Sequence, residues 1–151
     1  MDVSASGVRS PVAAVRLADA ARAVLRAERV RNALVSVALV DRRAIARLNR
    51  VHLGHSGATD VISFSFDRAS ARDAVIGDIY IAPEVARDNA AARGVAVREE
   101  LLRLVVHGTL HVLGHDHPHG RMRERSPMWR RQEALVRRLS ARGRGGRSTS
   151  R

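Results

Sequence analysis

Val97 to His117 reads VREELLRLVVHGTLHVLGHDH, and the rest of the chain is organised around it. Leu101, Leu102, Leu104, Val105, Val106, Leu110 and Val112 crowd this stretch, and no Gly or Pro interrupts it before Gly108, which predicts a mostly buried helix over Val97–Val112. His107 and His111 lie just over one helical turn apart, so their imidazoles leave the same face and converge on one point. Gly114 takes a positive φ without steric cost; it ends the helix and turns the chain back, so that His117 approaches the same point from the other side. Three neutral imidazoles on a rigid frame, with space for a water, are the usual donors of a catalytic Zn²⁺ site, and they also suit Ni²⁺, Co²⁺ and Cu²⁺. A histidine on an apolar helix is more often a satisfied core residue, but the third histidine after a helix-ending glycine weighs against that alternative here. The expected metal ligands are His107, His111 and His117.

The same offsets occur in the HExxHxxGxxH signature of metzincin proteases, where the Glu after the first His is the general base. Here that position is Gly108. Peptide hydrolysis by that mechanism lacks its base, whereas a bound metal still lowers the pKa of water to about 7 and leaves hydrolysis of another substrate open.

With 151 residues the chain is expected to form one domain with a real core. It has no cysteine, so disulfides, thiolate zinc sites and thiol catalysis are excluded. No apolar run approaches the roughly 20 residues that span a bilayer, and no basic region followed by an apolar core opens the chain, so a cytoplasmic protein without membrane contact is expected. The formal net charge is +12, and all 27 basic residues are arginine. Such an excess favours polyanions, nucleic acid above all. Arginine without lysine, among abundant Ala and Val, also looks like coding bias, and some of these side chains are simply solvated helix faces.

In chain order, Met1–Ser10 is expected as a short strand or loose arm and Pro11–Arg29 as an amphipathic helix with Pro11 in its first turn. Ala33–Val40 is a buried strand. Asp41 caps a helix from Arg42 to about Val51, whose outer face carries Arg42, Arg43, Arg47 and Arg50: phosphate contacts, or a solvated face. His52–Ala58 is a glycine-rich loop with His52 and His55. Thr59–Phe66 alternates as a strand, and Ile76–Ala82 is another. Pro83 opens a helix that Gly94 ends. After the histidine helix come a loop over 118–125 and a helix, Pro127–Arg142, capped by Ser126. Residues 143–151 form a basic, low-complexity tail expected to be disordered.

These residues resemble a known family. His107–His117 is similar to the HGxLHxxGxDH signature of the YbeY-type rRNA maturation endoribonucleases, Thr59–Phe64 (TDVISF) to that family's TDVLSF strand, and Gly77–Ala90 (GDIYIAPEVARDNA) to its GDIxIsPEvA segment. Leu48-Asn49-Arg50, Met128 and Gln132-Glu133 extend the match in the same order.

The resemblance implies a single α+β domain over 1–142, with a small mixed sheet of about four strands, the metal-bearing helix at its centre and further helices around it. It implies a zinc-dependent endoribonuclease that cuts single-stranded RNA in ribosomal RNA maturation and ribosome quality control, with ribosomal RNA and the ribosome or its proteins as partners. It would put Thr59, Asp60 and Ser63 beside the metal. Asp116, next to the last ligand, is a candidate to orient a ligand imidazole, or it only caps the turn. One departure stands out: the family's arginine in a YRxKD-like stretch is replaced by Leu53. Arg50 one turn earlier supplies the guanidinium, or His52 and His55 act instead, or catalysis is weakened; Arg47 and Arg50 are the candidate RNA contacts. Two other functions fit the same residues: a metal-stabilised RNA-binding assembly factor with little catalysis, and a metal-dependent hydrolase of a substrate other than RNA.

Overall fold

Ala33–Leu39 (β2) and Val75–Ile81 (β4) each bury every second side chain, and together they form the centre of a four-stranded sheet. The computed structural model describes residues 1–116 and 124–148, with side chains described as far as Ala141. The sheet order is β1-β2-β4-β3, with β1 (Asp2–Gly7) parallel to β2, β2 parallel to β4, and β3 (Val61–Phe66) antiparallel to β4. The helices are α1 (Ala14–Ala27), α2 (Arg42–Leu53), α3 (Pro83–Arg93), α4 (Val97–Val112) and α5 (Pro127–Ser148). This is the expected α+β domain with a mixed sheet. Among the described residues no helix is long and apolar enough to cross a membrane.

The period of two in the strands separates two faces. Val35, Val37, Ile79 and Ile81 point to one face and join Leu17, Leu25, Leu101 and Val105 in the main core, so α1 and α4 cover that side. Ile62, Phe64 and Tyr80 point to the other and pack with Ile45 and Leu48 of α2. From Glu100 to Leu110 every residue of α4 is buried, as expected of a helix enclosed on all sides. Leu101 and Leu110 are fully buried, and each contributes about 1.5–3 kcal/mol on leaving water. A second cluster, Val106 and Leu110 with Met128, Leu135 and Val136, ties α5 to the back of α4.

Two glycines set how close α4 lies to the sheet. A Cβ on Gly77 would come within 2.4 Å of Val112 Cγ1, and one on Gly108 within 2.7 Å of Ile79 Cγ2. A side chain at either position would force helix and sheet apart.

Three helix boundaries differ from expectation. The first helix begins at Ala14, after an extended Ala13, and not at Pro11; the Val12 amide is taken by Ser10 Oγ (3.0 Å), which holds the preceding segment in a turn. The second runs on through His52 and Leu53, because nothing in Val51-His52-Leu53 breaks it, and Gly54 at φ 68° is the first residue suited to the left-handed end. Asp41 caps its start as expected, accepting from the Ala44 amide at 2.8 Å. The last helix extends past Arg142 to Ser148, into the stretch expected as a tail; residues 149–151 lie outside the described residues.

Candidate metal and nucleic-acid site

The end of α4 closes as its glycine predicts. Gly114 adopts φ 97°, its amide donates to His111 O (2.9 Å), and the His115 amide donates to Leu110 O (3.0 Å). These two bonds satisfy carbonyls left open at the helix end and reverse the chain. His115 is hydrogen-bonded to Glu28 at the end of α1, and Arg131 of α5 donates to the same carboxylate, so the turn leading to position 117 is anchored to two helices.

His107 and His111 share one face of α4. Their ring centroids are 4.5 Å apart and nearly perpendicular, with His107 buried and His111 partly so. The third expected ligand, His117, lies outside the described residues, and among the described residues no group of three His, Asp or Glu converges as a metal site. The pair suits a metal in one further respect. His107 Nδ1 is 2.7 Å from Gln132 Oε1, so the protein engages that ring nitrogen and fixes how the imidazole sits.

His107 opens onto a cleft of about 270 Å³ that Asp60, Arg93, Arg103, Glu124 and Trp129 also line. Asp60 accepts from Asn89 Nδ2 (3.1 Å) and faces the Thr59 hydroxyl at 3.5 Å; Ser63 Oγ donates to Gly108 O (3.2 Å) and pins β3 to α4. Ser63 thus stands on β3 beside the histidine helix, and Thr59 and Asp60 immediately precede that strand, which begins at Val61 and not at Thr59 as expected. Arg93 lies over the Trp129 ring (5.7 Å) and 3.4 Å from Glu100.

Along the cleft wall runs a part-buried charge network. Arg103 donates to both oxygens of Glu133 at 2.9 Å, and Gln132 Nε2 donates to Glu133 Oε2 at 3.0 Å. Burial works against the Glu133 carboxylate, yet the hydrogen bonds from Arg103 and Gln132 outweigh it and hold its pKa below the ordinary carboxylate value. The same bond to Glu133 raises the Arg103 guanidinium. Glu100 behaves oppositely: burial pushes it up, and Arg93 and Arg103 only partly offset that.

The other expected residues lie elsewhere. Arg47, Arg50 and His52 are exposed on α2, on the opposite face of the sheet from α4, and His55 is exposed in the loop after it; none of the four lines the His107 cleft. His52 packs edge-on against Phe64 at 5.3 Å, and Leu53 is 46% exposed at the last turn of α2. Asp116 is exposed, and Gln132 is a side chain that meets His107 Nδ1. A signal for Gln132 was present in the sequence: it falls in the stripe Met128, Leu135, Val136, Leu139, a polar side chain where α5 otherwise buries apolar ones.

Fold and site define a class: an α+β protein whose central helix carries paired histidines, one of them lining a polar cleft, beside a mixed sheet. A sequence model described as Endoribonuclease YbeY matches residues 8–140, and the chain belongs to that family. It is similar to proteins named Endoribonuclease YbeY from Frankia alni (39% identity, covering 81% of this chain and 72% of the relative), Kineococcus radiotolerans (40%; 68% and 64%) and Renibacterium salmoninarum (42%; 55% and 57%). It therefore spans rather more than half the length of the latter two. A solution structure of a Thermotoga maritima protein has the same fold, with a TM-score of 0.64 at 23% identity over 99% of this chain and 96% of that one.

Proposed function

We propose that this chain is a metal-dependent endoribonuclease that cuts single-stranded RNA during ribosomal RNA maturation, in the cytoplasm and in contact with the ribosome. The observation that carries the proposal is the pairing of the His107 and His111 rings, with His107 lining a cleft shared with Asp60, in a chain of the YbeY family. His107, His111 and His117 would hold one Zn²⁺. When bound there, the ion supplies Lewis acidity at neutral pH. The protein supplies the rest. α4 fixes the imidazoles of His107 and His111, Asp60 lines the cleft just ahead of β3, and the guanidinium of Arg93 stands at its edge to meet a phosphate. The net charge of +12 draws RNA to the surface.

The test is cleavage of a labelled single-stranded RNA by nuclease-free protein, with metal content read by elemental analysis. Metal-dependent cutting that His111→Ala and chelation both abolish is the expected result; cutting retained by His111→Ala would sink the proposal. A second function, an RNA-binding assembly factor with little turnover, is favoured by two observations: Leu53 stands where the family pattern has an arginine, and no α2 arginine lines the cleft. Bound metal and RNA with no cutting above the mutant would select it.

A further inference from the structure

A neutral imidazole carries its proton on either nitrogen, and only the bare nitrogen can ligate a metal. Which one is bare at His107 is decided two residues away. The Glu133 carboxylate is clamped by Arg103 through two bonds of 2.9 Å and is held ionised, so toward Gln132 it can only accept. Gln132 must turn its NH₂ group to Glu133, at 3.0 Å, and its carbonyl oxygen to His107, at 2.7 Å. A carbonyl oxygen cannot donate. His107 Nδ1 must therefore carry the proton.

We infer that Gln132, oriented by the Arg103–Glu133 pair, locks His107 in the Nδ1–H tautomer and so presents Nε2 as the bare nitrogen. Gln132 is a positioning residue, acting through His107 on whatever His107 holds. Each alternative leaves a buried clash. Flipping the amide sets its oxygen against the carboxylate, and moving the imidazole proton to Nε2 sets two lone pairs against each other. Gln132 is 1% exposed and His107 7%, so water does not relieve either arrangement. The described residues contain no buried side-chain polar atom left without a partner, in keeping with a fully satisfied chain of bonds from Arg103 to His107. The tautomer is a property of the metal-free chain; its consequence for affinity rests on the metal site proposed above.

The test is long-range ¹H–¹⁵N correlation of the histidine rings in uniformly labelled, chelator-treated protein at a pH where imidazole is neutral. Wild type should show His107 with a protonated Nδ1 and a bare Nε2. Gln132→Met, which keeps the volume and removes the acceptor, should lose that pattern. Competition with a chromophoric chelator should show Zn²⁺ affinity falling about 10–100-fold in Gln132→Met. A wild-type His107 protonated at Nε2 overturns the inference without need of any variant, as does a folded Gln132→Met with unchanged tautomer and affinity. Wild type that takes up no Zn²⁺ overturns the metal site and the affinity consequence, while the spectra still read the tautomer.

Discussion

Gly108 lies so close to Ile79 that a Cβ on residue 108 would sit 2.7 Å from Ile79 Cγ2 and 3.1 Å from Ser63 Oγ. The position where metzincins carry their catalytic Glu here faces the sheet, not the cleft. Gly108→Ala should push α4 off β4, costing about 1–3 kcal/mol in urea denaturation despite alanine's better helix propensity. Metal affinity should fall with it, since His107 is the preceding residue. A neutral or stabilising Gly108→Ala would show that this approach is not tight.

The Arg103–Glu133 pair predicts a pH dependence. Glu133 has its pKa lowered in the fold, so it contributes stability above the ordinary carboxylate pKa of about 4.3, which is lost as pH falls through the folded value. Glu100 is raised, so its ionised form costs stability near neutrality, and that cost is relieved as pH falls through its folded pKa toward the ordinary one. Urea midpoints should therefore hold or rise slightly from neutrality into mild acid and then drop, and Glu133→Gln should flatten the final drop. At neutral pH, Arg103→Met should cost about 3 kcal/mol, because Glu133 then keeps only Gln132 and the buried Glu100 keeps only Arg93. An acid limb unchanged in Glu133→Gln would contradict this account.

What was legible in the sequence was what local geometry determines. The spacing of His107 and His111, the reversal at Gly114, the cap at Asp41 and the strands at β2 and β4 each depend on a few neighbouring residues, and each is close to where the sequence puts it. Gln132 was not legible as a partner of His107, because that contact joins helices 25 residues apart, and only α5 packing on α4 brings them together. The same holds for Glu28, which reaches His115 and Arg131 from the end of α1. The basic face of α2 and its nearness in sequence to the family's arginine position point to Arg47, Arg50 and His52, whereas in the fold the sheet separates that helix from α4. Arg93 and Trp129, which do line the cleft, offer no sequence motif at all.

Chelation should lower thermal stability, because a metal held only by the folded imidazoles stabilises by mass action. With free Zn²⁺ at 100 times its dissociation constant the linkage is about 2.7 kcal/mol, on the order of 5–10 °C for a chain of this length. Scanning calorimetry of wild type with and without metal should show that shift, and His111→Ala should show almost none. A wild-type melting temperature indifferent to Zn²⁺ would count against the site.

Leu53 gives the sharpest test of how RNA is held. It is 46% exposed on the last turn of α2, followed by the left-handed Gly54, so an arginine there meets no packing obstacle. If RNA passes over this turn, Leu53→Arg should add one phosphate contact, steepening the dependence of log affinity on log salt by about 0.7 for a single strand. One charge-assisted bond should tighten binding on the order of tenfold. Leu53→Met, neutral and of similar volume, should change neither. Tighter binding with faster cutting would mean that the leucine lowers activity in this chain. Tighter binding without faster cutting would place position 53 on the RNA path but away from the reacting phosphate, leaving Arg93, already at the His107 cleft, as the guanidinium nearest the chemistry. An unchanged salt slope would take the α2 turn off the RNA path altogether.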